Sequence, residues 1–242
     1  MQRCSGVVMP KISVIIPSYN EEKYLNYPLN ALHKQTFKDF EIIVVDGNSS
    51  DKTRDIAKKH GARIIIEKRK GIGLARNTGA KKARGSILFF TNADTAPSPD
   101  VLNIYNEMFK DNAVVAATGP MVPLEKTTHF IQFGYKFASV SLAKFSFKLG
   151  MPAMSGSNIA VRKASFEKAG GFNELLETYE DIDLIARVKR LGSVVYADDA
   201  VVATSTRRIE AWGVRKYILF NAGNVLRYNL SKRSKKNYEP IR

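Results

Sequence analysis

The feature that most limits how this 242-residue chain can fold is the run Ile87, Leu88, Phe89 and Phe90, inside the stretch G-S-I-L-F-F-T-N-A-D at 85–94. A strand with one wet face alternates apolar and polar residues. A run without alternation is covered on both faces, the condition of a largely parallel sheet between two layers of helices. The run leads to a carboxylate, Asp94, and in open α/β sheets ligands bind outside the carboxyl ends of the strands. Asn92, Ala93 and Asp94 are therefore site candidates. The competing reading is that Asn92 and Asp94 only cap the loop and the helix after it.

The upstream chain has the same rhythm. Residues 12–16 form a β-branched strand that Pro17 should stop, and Ser18-Tyr19-Asn20-Glu21 leads into a helix with Leu25, Leu29 and Leu32 on one face, where Pro28 is placed to kink it. Residues 40–45 form a second strand ending on Asp46, after which Ser49 or Ser50 should cap a helix that closes on Lys58-Lys59-His60-Gly61. Residues 62–67 are a third strand, followed by the basic, glycine-containing loop Lys68-Arg69-Lys70-Gly71-Ile72-Gly73. Phosphate suits such a loop, and so does plain solvation. It matches neither the dinucleotide fingerprint nor the P-loop. Helices at 74–84 and 99–110 and a strand at 113–118 complete an alternation that implies a parallel sheet with right-handed crossovers.

After Thr118 the pattern changes. Phe130, Phe133, Phe137, Phe145 and Phe147 share a segment with Lys136, Lys144 and Lys148. Such a segment can lie on a membrane surface, but a broad apolar stripe reads first as core packing. Met154-Ser155-Gly156-Ser157-Asn158 enters a strand at 159–161, and Gly170-Gly171 makes a turn. Thr178 with Asp181 has capping-box spacing at the start of a helix running to Leu191. Short strands at 194–196 and 201–203 precede the pair Arg207-Arg208. A helical segment at 209–230, interrupted at Gly213 and Gly223, leads into a basic tail suited to anionic lipid.

Lys and Arg total 38 against 23 Asp and Glu, a net charge of +15, which asks for a polyanionic partner: nucleic acid, anionic membrane or phosphorylated ligand. The single cysteine, Cys4, excludes an internal disulfide and a Cys-rich metal site, fits a reducing compartment and reads as inert near the terminus. The first ten residues lack the apolar core of a signal peptide, and no run approaches the roughly 18 apolar residues of a spanning helix. Met9 is an alternative start.

Five segments together resemble the family 2 inverting glycosyltransferases of the glycosyltransferase A fold. They are P-S-Y-N-E at 17–21, V-V-D-G-N-S-S-D at 44–51, G-L-A-R-N-T-G at 73–79, N-A-D at 92–94 and Y-E-D-I-D-L at 179–184. The resemblance covers roughly residues 11–202. It implies that Pro17, Tyr19, Glu21 and Asp46 hold the base and ribose of a nucleotide, with Asp46 accepting from the base edge. Lys70 and Arg76 would lie near the diphosphate, and Asn92, Ala93 and Asp94 would line the donor. Asp94 would serve a divalent cation, Mn or Mg, Asp181 would be the general base, and Glu180 would lie on the acceptor or phosphate side. Gly156, Ser157 and Asn158 resemble the acceptor-side loop. Arg207 and Arg208 would clamp the leaving nucleotide or a phosphorylated acceptor. Two positions depart from the family pattern: Gly47 replaces an Asp, and Asn92 replaces the first acid of the metal motif, lowering the expected metal affinity.

The expectation is one mostly parallel α/β sheet flanked by helices, with a helical C-terminal extension. Its parts are an N-terminal extension (1–10), a catalytic domain (11–208, donor half 11–118, acceptor half 119–208) and a helical segment with basic tail (209–242). The expected activity is inverting transfer from a UDP- or GDP-type sugar to a sugar, glycolipid or polyprenyl phosphate acceptor at the cytoplasmic membrane face. One rival is a sugar-nucleotide nucleotidyltransferase, though 17–21 lacks the glycine-rich start of that class. The other is a nucleic acid-binding module, which charge alone suggests and no motif supports.

Overall fold

The computed structural model describes residues 9–148 and 155–231. Cys4 with the rest of 1–8, residues 149–154 including Met154, and the tail from 232 onward lie outside the described residues.

The main sheet contains β1 (Ile12–Ser18), β2 (Phe40–Asp46), β3 (Arg63–Ile66), β4 (Ile87–Phe90), β6 (Val114–Thr118), β8 (Ile159–Arg162) and β9 (Ser193–Tyr196). Their order is β3-β2-β1-β4-β8-β6-β9. All neighbouring pairs are parallel except those of β8, which runs antiparallel to β4 and β6. A second, three-stranded sheet joins β5 (Thr95–Pro97), β10 (Val202–Thr204) and β7 (Met121–Pro123) in that order.

The unalternating run is buried on both sides, as its composition demands. Ile87 and Phe89 join one core with Ile12, Val14 and Ile16, while Leu88 and Phe90 join the other with Ile15, Val45 and Val161. Helices α1 (Asn26–His33), α2 (Thr53–Lys59) and α4 (Val101–Met108) cover the first face. Helices α3 (Ile72–Lys82), α7 (Lys163–Lys168) and α8 (Glu180–Val188) cover the second. Close approach of α3 needs Gly79: a Cβ there would stand 2.6 Å from Ile15 Cγ2 and 2.9 Å from Val45 Cγ2.

Several local expectations are corrected. Pro17 does not stop β1, which continues to Ser18 paired with β2. The β4 side of that ladder has already ended at Ile15, so the missing N–H of Pro17 lies where no partner strand needs it. Pro28 falls in the first turn of α1, where an N–H has no helical partner, and produces no break. Neither serine caps α2, which starts at Thr53: Ser49 bonds Asp46, Ser50 N donates to Asn20, and Asp51 Oδ1 takes Thr53 N at 3.0 Å. Gly213, at φ +75°, does separate α9 (Arg207–Trp212) from α10 (Val214–Ser231), but α10 runs through Gly223 unbroken.

The largest correction concerns the aromatic segment, which forms α5 (His129–Lys136), a π-helical stretch (Phe137–Leu142) and α6 (Ala143–Lys148). Core packing does not hold for most of it. Phe130 and Phe133 are each 68% exposed, and Phe137, Leu142 and Phe145 are also exposed. Both sheet faces are already covered by the six helices above. Among the described side chains of this segment only Ala143 is buried, and Phe147 meets Tyr196 edge-on with ring centroids 5.6 Å apart.

Candidate active site

Parallel pairing brings the carboxyl ends of β2, β1 and β4 to one edge of the sheet. Because β8 is antiparallel, with Ile159 opposite both Phe90 and Thr118, its entry loop emerges at that same edge. The order reverses at β1, where β2 and β3 lie on one side and β4 on the other, which is the switch point where such sheets hold ligands. Four of the five motifs end or begin there as a consequence of topology, and Arg76 of the fifth reaches the edge from α3.

The loops after β1 and β2 are sewn together. Asn20 N donates to Ser49 Oγ at 2.9 Å, Ser50 N to Asn20 Oδ1 at 2.9 Å and Glu21 N to Thr53 Oγ1 at 2.8 Å. Asn20 and Asn48 adopt left-handed backbone, at φ +53° and +65°, a conformation Asn tolerates better than most residues. Asp46 is fully buried and accepts from Ser49 N at 3.0 Å and from the Ser49 hydroxyl, so its carboxylate organises its own loop. Tyr19 is exposed at the rim, its Cβ against Gly47, where an added Cβ would come within 3.2 Å. That contact gives the departure at Gly47 a packing reason. Lys70 is exposed in its loop, whereas Arg69 is held by Glu67 at 2.8 Å.

A second knot centres on Arg76, which is 1% exposed. Nη1 donates to Glu180 Oε1 at 2.6 Å, and Nη2 donates to Asn92 Oδ1 and to Gly156 O, each at 2.9 Å. One guanidinium thus ties α3, the end of β4, the entry of β8 and the start of α8. Arg76 and Glu180 face each other, not an open diphosphate or acceptor. Burial first, then the neighbouring Asp181 charge, push the Glu180 carboxyl above its ordinary range against the pull of Arg76. Asn92 also donates to Ser157 Oγ at 2.8 Å, and Ala93 is buried behind it.

Asp181 is half-buried, beside this knot, and the capping-box expectation fails for it. The residue before α8 is Tyr179, at φ +68°, with no side-chain cap, and Thr178 Oγ1 is buried without a hydrogen-bond partner. Asp181 Oδ2 instead accepts from Gly156 N at 2.7 Å and Oδ1 from Ile182 N at 2.8 Å. A carboxylate has about four acceptor positions. The two amides orient the group and leave acceptor capacity on both oxygens. The left-handed Tyr179, braced by its hydroxyl on Asn221 O at 2.9 Å and its ring against Tyr228, turns the helix start so that Asp181 faces the β8 loop. Asn158 does not reach the site. It is wholly buried, accepts from Tyr105 OH, and donates to Ala200 O at 2.9 Å, so the acceptor-side expectation fails for that residue.

The third knot was not foreseen as a contact. Arg207 forks onto Glu21, Nη1 to Oε2 and Nη2 to Oε1, both 2.8 Å, and Nη2 lies 2.9 Å from Asp94 Oδ2. Its guanidinium also lies 4.3 Å from the centre of the Tyr24 ring. The small sheet makes this meeting inevitable: Thr95 pairs with Thr204, and Ser205 N donates to Asp94 O at 3.0 Å. Glu125 fixes the start of α9, accepting from Thr206 N at 2.8 Å and from the Ser205 hydroxyl. The Arg208 guanidinium lies 5.0 Å from the Trp212 ring centre.

Residues 13–170 match the model of Glycosyl transferase family 2. The chain belongs to this family. Members similar to it include an uncharacterised glycosyltransferase of Rickettsia typhi, 27% identical over 80% of this chain and 63% of its own length. The O-antigen chain rhamnosyltransferase WbaN of Salmonella anatum is 30% identical, over 81% of this chain and 67% of its own. The chain thus spans a little under two thirds of the Rickettsia relative. In fold it resembles the 1–349 fragment of TarS of S. aureus solved with UDP-GlcNAc, with TM-score 0.67 and 22% identity over 90% of this chain and 67% of that fragment. It resembles equally the mannosyltransferase PcManGT of Pyrobaculum calidifontis solved with GDP-Man and Mn2+, with TM-score 0.67 and 22% identity over 91% of this chain and 65% of that one. Family 2 membership favours the glycosyltransferase reading over its two rivals, and the mixed, mostly parallel sheet is the fold expected.

Residues that matter here and drew no attention in the sequence are Asn77, Tyr24 and Glu125. Asn77 pins the turn before α8, exchanging hydrogen bonds with Phe172 O at 2.9 Å and Phe172 N at 2.8 Å. Its place within G-L-A-R-N-T-G was the available signal. Nothing local marked Glu125.

Proposed function

We propose that the chain transfers a sugar, with inversion, from a UDP- or GDP-type nucleotide sugar to an acceptor hydroxyl or phosphate, lipid-linked at the membrane surface. The observation that carries this reading is the convergence of the Asp94 and Asp181 knots at the switch-point edge, in a family 2 chain. Residues 11–118 supply the donor half, with Tyr19 and the Asp46 loop for the nucleotide and Lys70 for the diphosphate. Residues 119–208 supply the acceptor half, with Ser157 and Asp181.

Asp181 takes the proton of an acceptor hydroxyl, whose oxygen attacks the anomeric carbon as the bond to the diphosphate oxygen breaks. The electron pair leaves on the nucleotide diphosphate. Attack from the face opposite the leaving group inverts the centre, and a positioned base of this kind contributes about a hundredfold to ten-thousandfold. Arg76 and Glu180 act by positioning: they hold Asn92, Gly156 and so Asp181 in place.

A divalent ion, as in the PcManGT complex, fits this edge. Glu21 and Asp94 already share one cationic group, and their hard carboxylate oxygens suit Mn2+ or Mg2+. Asn92 is a weaker candidate, since its carbonyl oxygen is taken by Arg76. Among the described residues no three His, Cys, Asp or Glu side chains form a ready ligand set. Asp94 would therefore hold the ion, with the remaining ligands coming from diphosphate and water. The ion would neutralise leaving-group charge.

The exposed aromatic face of α5 and its continuation supports a peripheral location at the cytoplasmic membrane face. Tyr135, on the same helix, lies within electrostatic reach of Asp94, Glu125 and Glu210; burial first, then the Tyr217 hydroxyl, then these charges raise its hydroxyl pKa. Phe130, Phe133 and Phe137 are exposed along this segment, where a lipid-linked acceptor would arrive. No described helix is long and apolar enough to cross a membrane.

The test is calorimetric titration with UDP, GDP and their sugar conjugates, with and without Mn2+, on the wild type and Asp94→Ala. Metal-enhanced binding of one nucleotide, lost in the variant, is expected. Failure of every diphosphate nucleotide to bind would remove the reading.

A further inference from the structure

Arg207 sits where the proposed ion would bind. Its side chain is 15% exposed, and its guanidinium lies between two carboxylates, Glu21 and Asp94, whose side chains are 12% and 15% exposed. The three contacts of 2.8, 2.8 and 2.9 Å use lone pairs that a divalent ion would also require. Without a cation the two carboxylates would repel each other in a half-dry setting. The arrangement is built, not incidental. Glu125 anchors Thr206, the small sheet fixes Asp94 beside Ser205, and the Tyr24 ring backs the guanidinium.

We propose that Arg207 is a tethered countercation that occupies the ion's place on Asp94 until donor arrives. It then releases Asp94 to the metal and moves to the diphosphate. The inference rests on the nucleotide-sugar reading above and adds an order of events. Bare metal competes with Arg207 and binds weakly. A diphosphate gives the guanidinium a second anionic partner, so metal and nucleotide assist each other's binding, as reciprocity requires.

The experiment uses the full chain and Mn2+ alone, followed by electron paramagnetic resonance of the free ion, for the wild type, Arg207→Gln, Arg207→Lys and Asp94→Ala/Arg207→Gln. Removing a positive charge in contact with the ligand carboxylate should tighten bare Mn2+ binding by about tenfold or more in Arg207→Gln. Lysine keeps the charge but cannot fork across both carboxylates, so Arg207→Lys should fall between. The double variant should lose the gain. A second titration measures Mn2+ affinity with saturating UDP or GDP, whichever binds. The ratio to bare Mn2+ should be large in the wild type and collapse in Arg207→Gln.

Unchanged or weaker Mn2+ binding in both Arg207 variants, or a ratio that Arg207→Gln leaves intact, overturns the inference. Should Arg207→Gln not fold, Arg207→Lys decides: affinity and ratio equal to the wild type's refute it. Absence of any diphosphate nucleotide binding to the wild type sinks the proposed function. Nucleotide binding with Arg207-independent metal affinity sinks only this inference.

Discussion

Replacing Arg76 with Met removes a buried cation whose three hydrogen bonds join four separate elements. Glu180, nearly as buried, is left without its partner. Breaking one side of a buried pair destabilises by about 3–5 kcal/mol, since the surviving charge stays desolvated. One term offsets this: Arg76 Nε is buried with no hydrogen-bond partner, and removing such an orphan returns about 1–3 kcal/mol. The expected loss for Arg76→Met is therefore about 2 kcal/mol, read by urea denaturation. It depends on pH with a definite sign. Glu180 is already raised above its ordinary 4.5, and losing Arg76 raises it further. A folded-state pKa above the unfolded one stabilises at low pH and is lost as pH rises. Arg76→Met should therefore be nearly tolerated near pH 5 and most damaging near pH 8. Arg76→Met/Glu180→Gln, with neither charge, should recover much of the loss. A loss under about 1 kcal/mol at pH 8, or a double variant equal to the sum of the singles, would refute the assignment of Arg76 as a structural tie.

Asp181→Asn should lower turnover about a hundredfold to ten-thousandfold while donor affinity stays near the wild type's, measured by transfer assay beside calorimetry. The triple change Phe130→Ser, Phe133→Ser, Phe137→Ser should reduce cosedimentation with anionic vesicles by about tenfold or more, since each ring contributes on the order of 2 kcal/mol when buried. Turnover on a water-soluble acceptor should not follow. Glu41 is held below its ordinary pKa: burial works against this, but the Arg84 amide, the Ser13 hydroxyl and the Arg84 charge prevail. A depressed carboxylate stabilises above its unfolded pKa and loses that stabilisation as pH falls, so Glu41→Gln should flatten the acid limb of the melting-temperature profile.

The sheet was legible because burial on two faces leaves a mark in composition. Ile87, Leu88, Phe89 and Phe90 could fold stably in few other ways, and the alternation with Leu25, Leu29 and Leu32 set the layer order. Asp94 and Asp181 were legible by motif. What they touch was not. Glu21 and Arg207 are separated by 186 positions and meet only through the small sheet, which rests on three-residue strands too short for a periodic signal. Thr178 and Asp181 had the spacing of a capping box, but a left-handed Tyr179 breaks the geometry such a box needs. Periodicity placed the phenylalanines of α5 on one face. It could not say that both faces of the sheet were already taken by other helices.

The two arginines at this edge show why residue type alone does not assign a role. Arg76 is enclosed, and two of its three partners are neutral oxygens, an amide and a backbone carbonyl that have no other place to go. Moving it would strand Glu180 and open a gap at Gly156, where a Cβ would already collide with the guanidinium. It can only hold. Arg207 lies nearer solvent, and the acceptors it engages are two carboxylates, which an ion could satisfy as well. Its departure would strand nothing once a cation took its place. The same fork of donors is therefore a structural tie in one setting and an exchangeable charge in the other. The separating variable is whether the partners have an alternative.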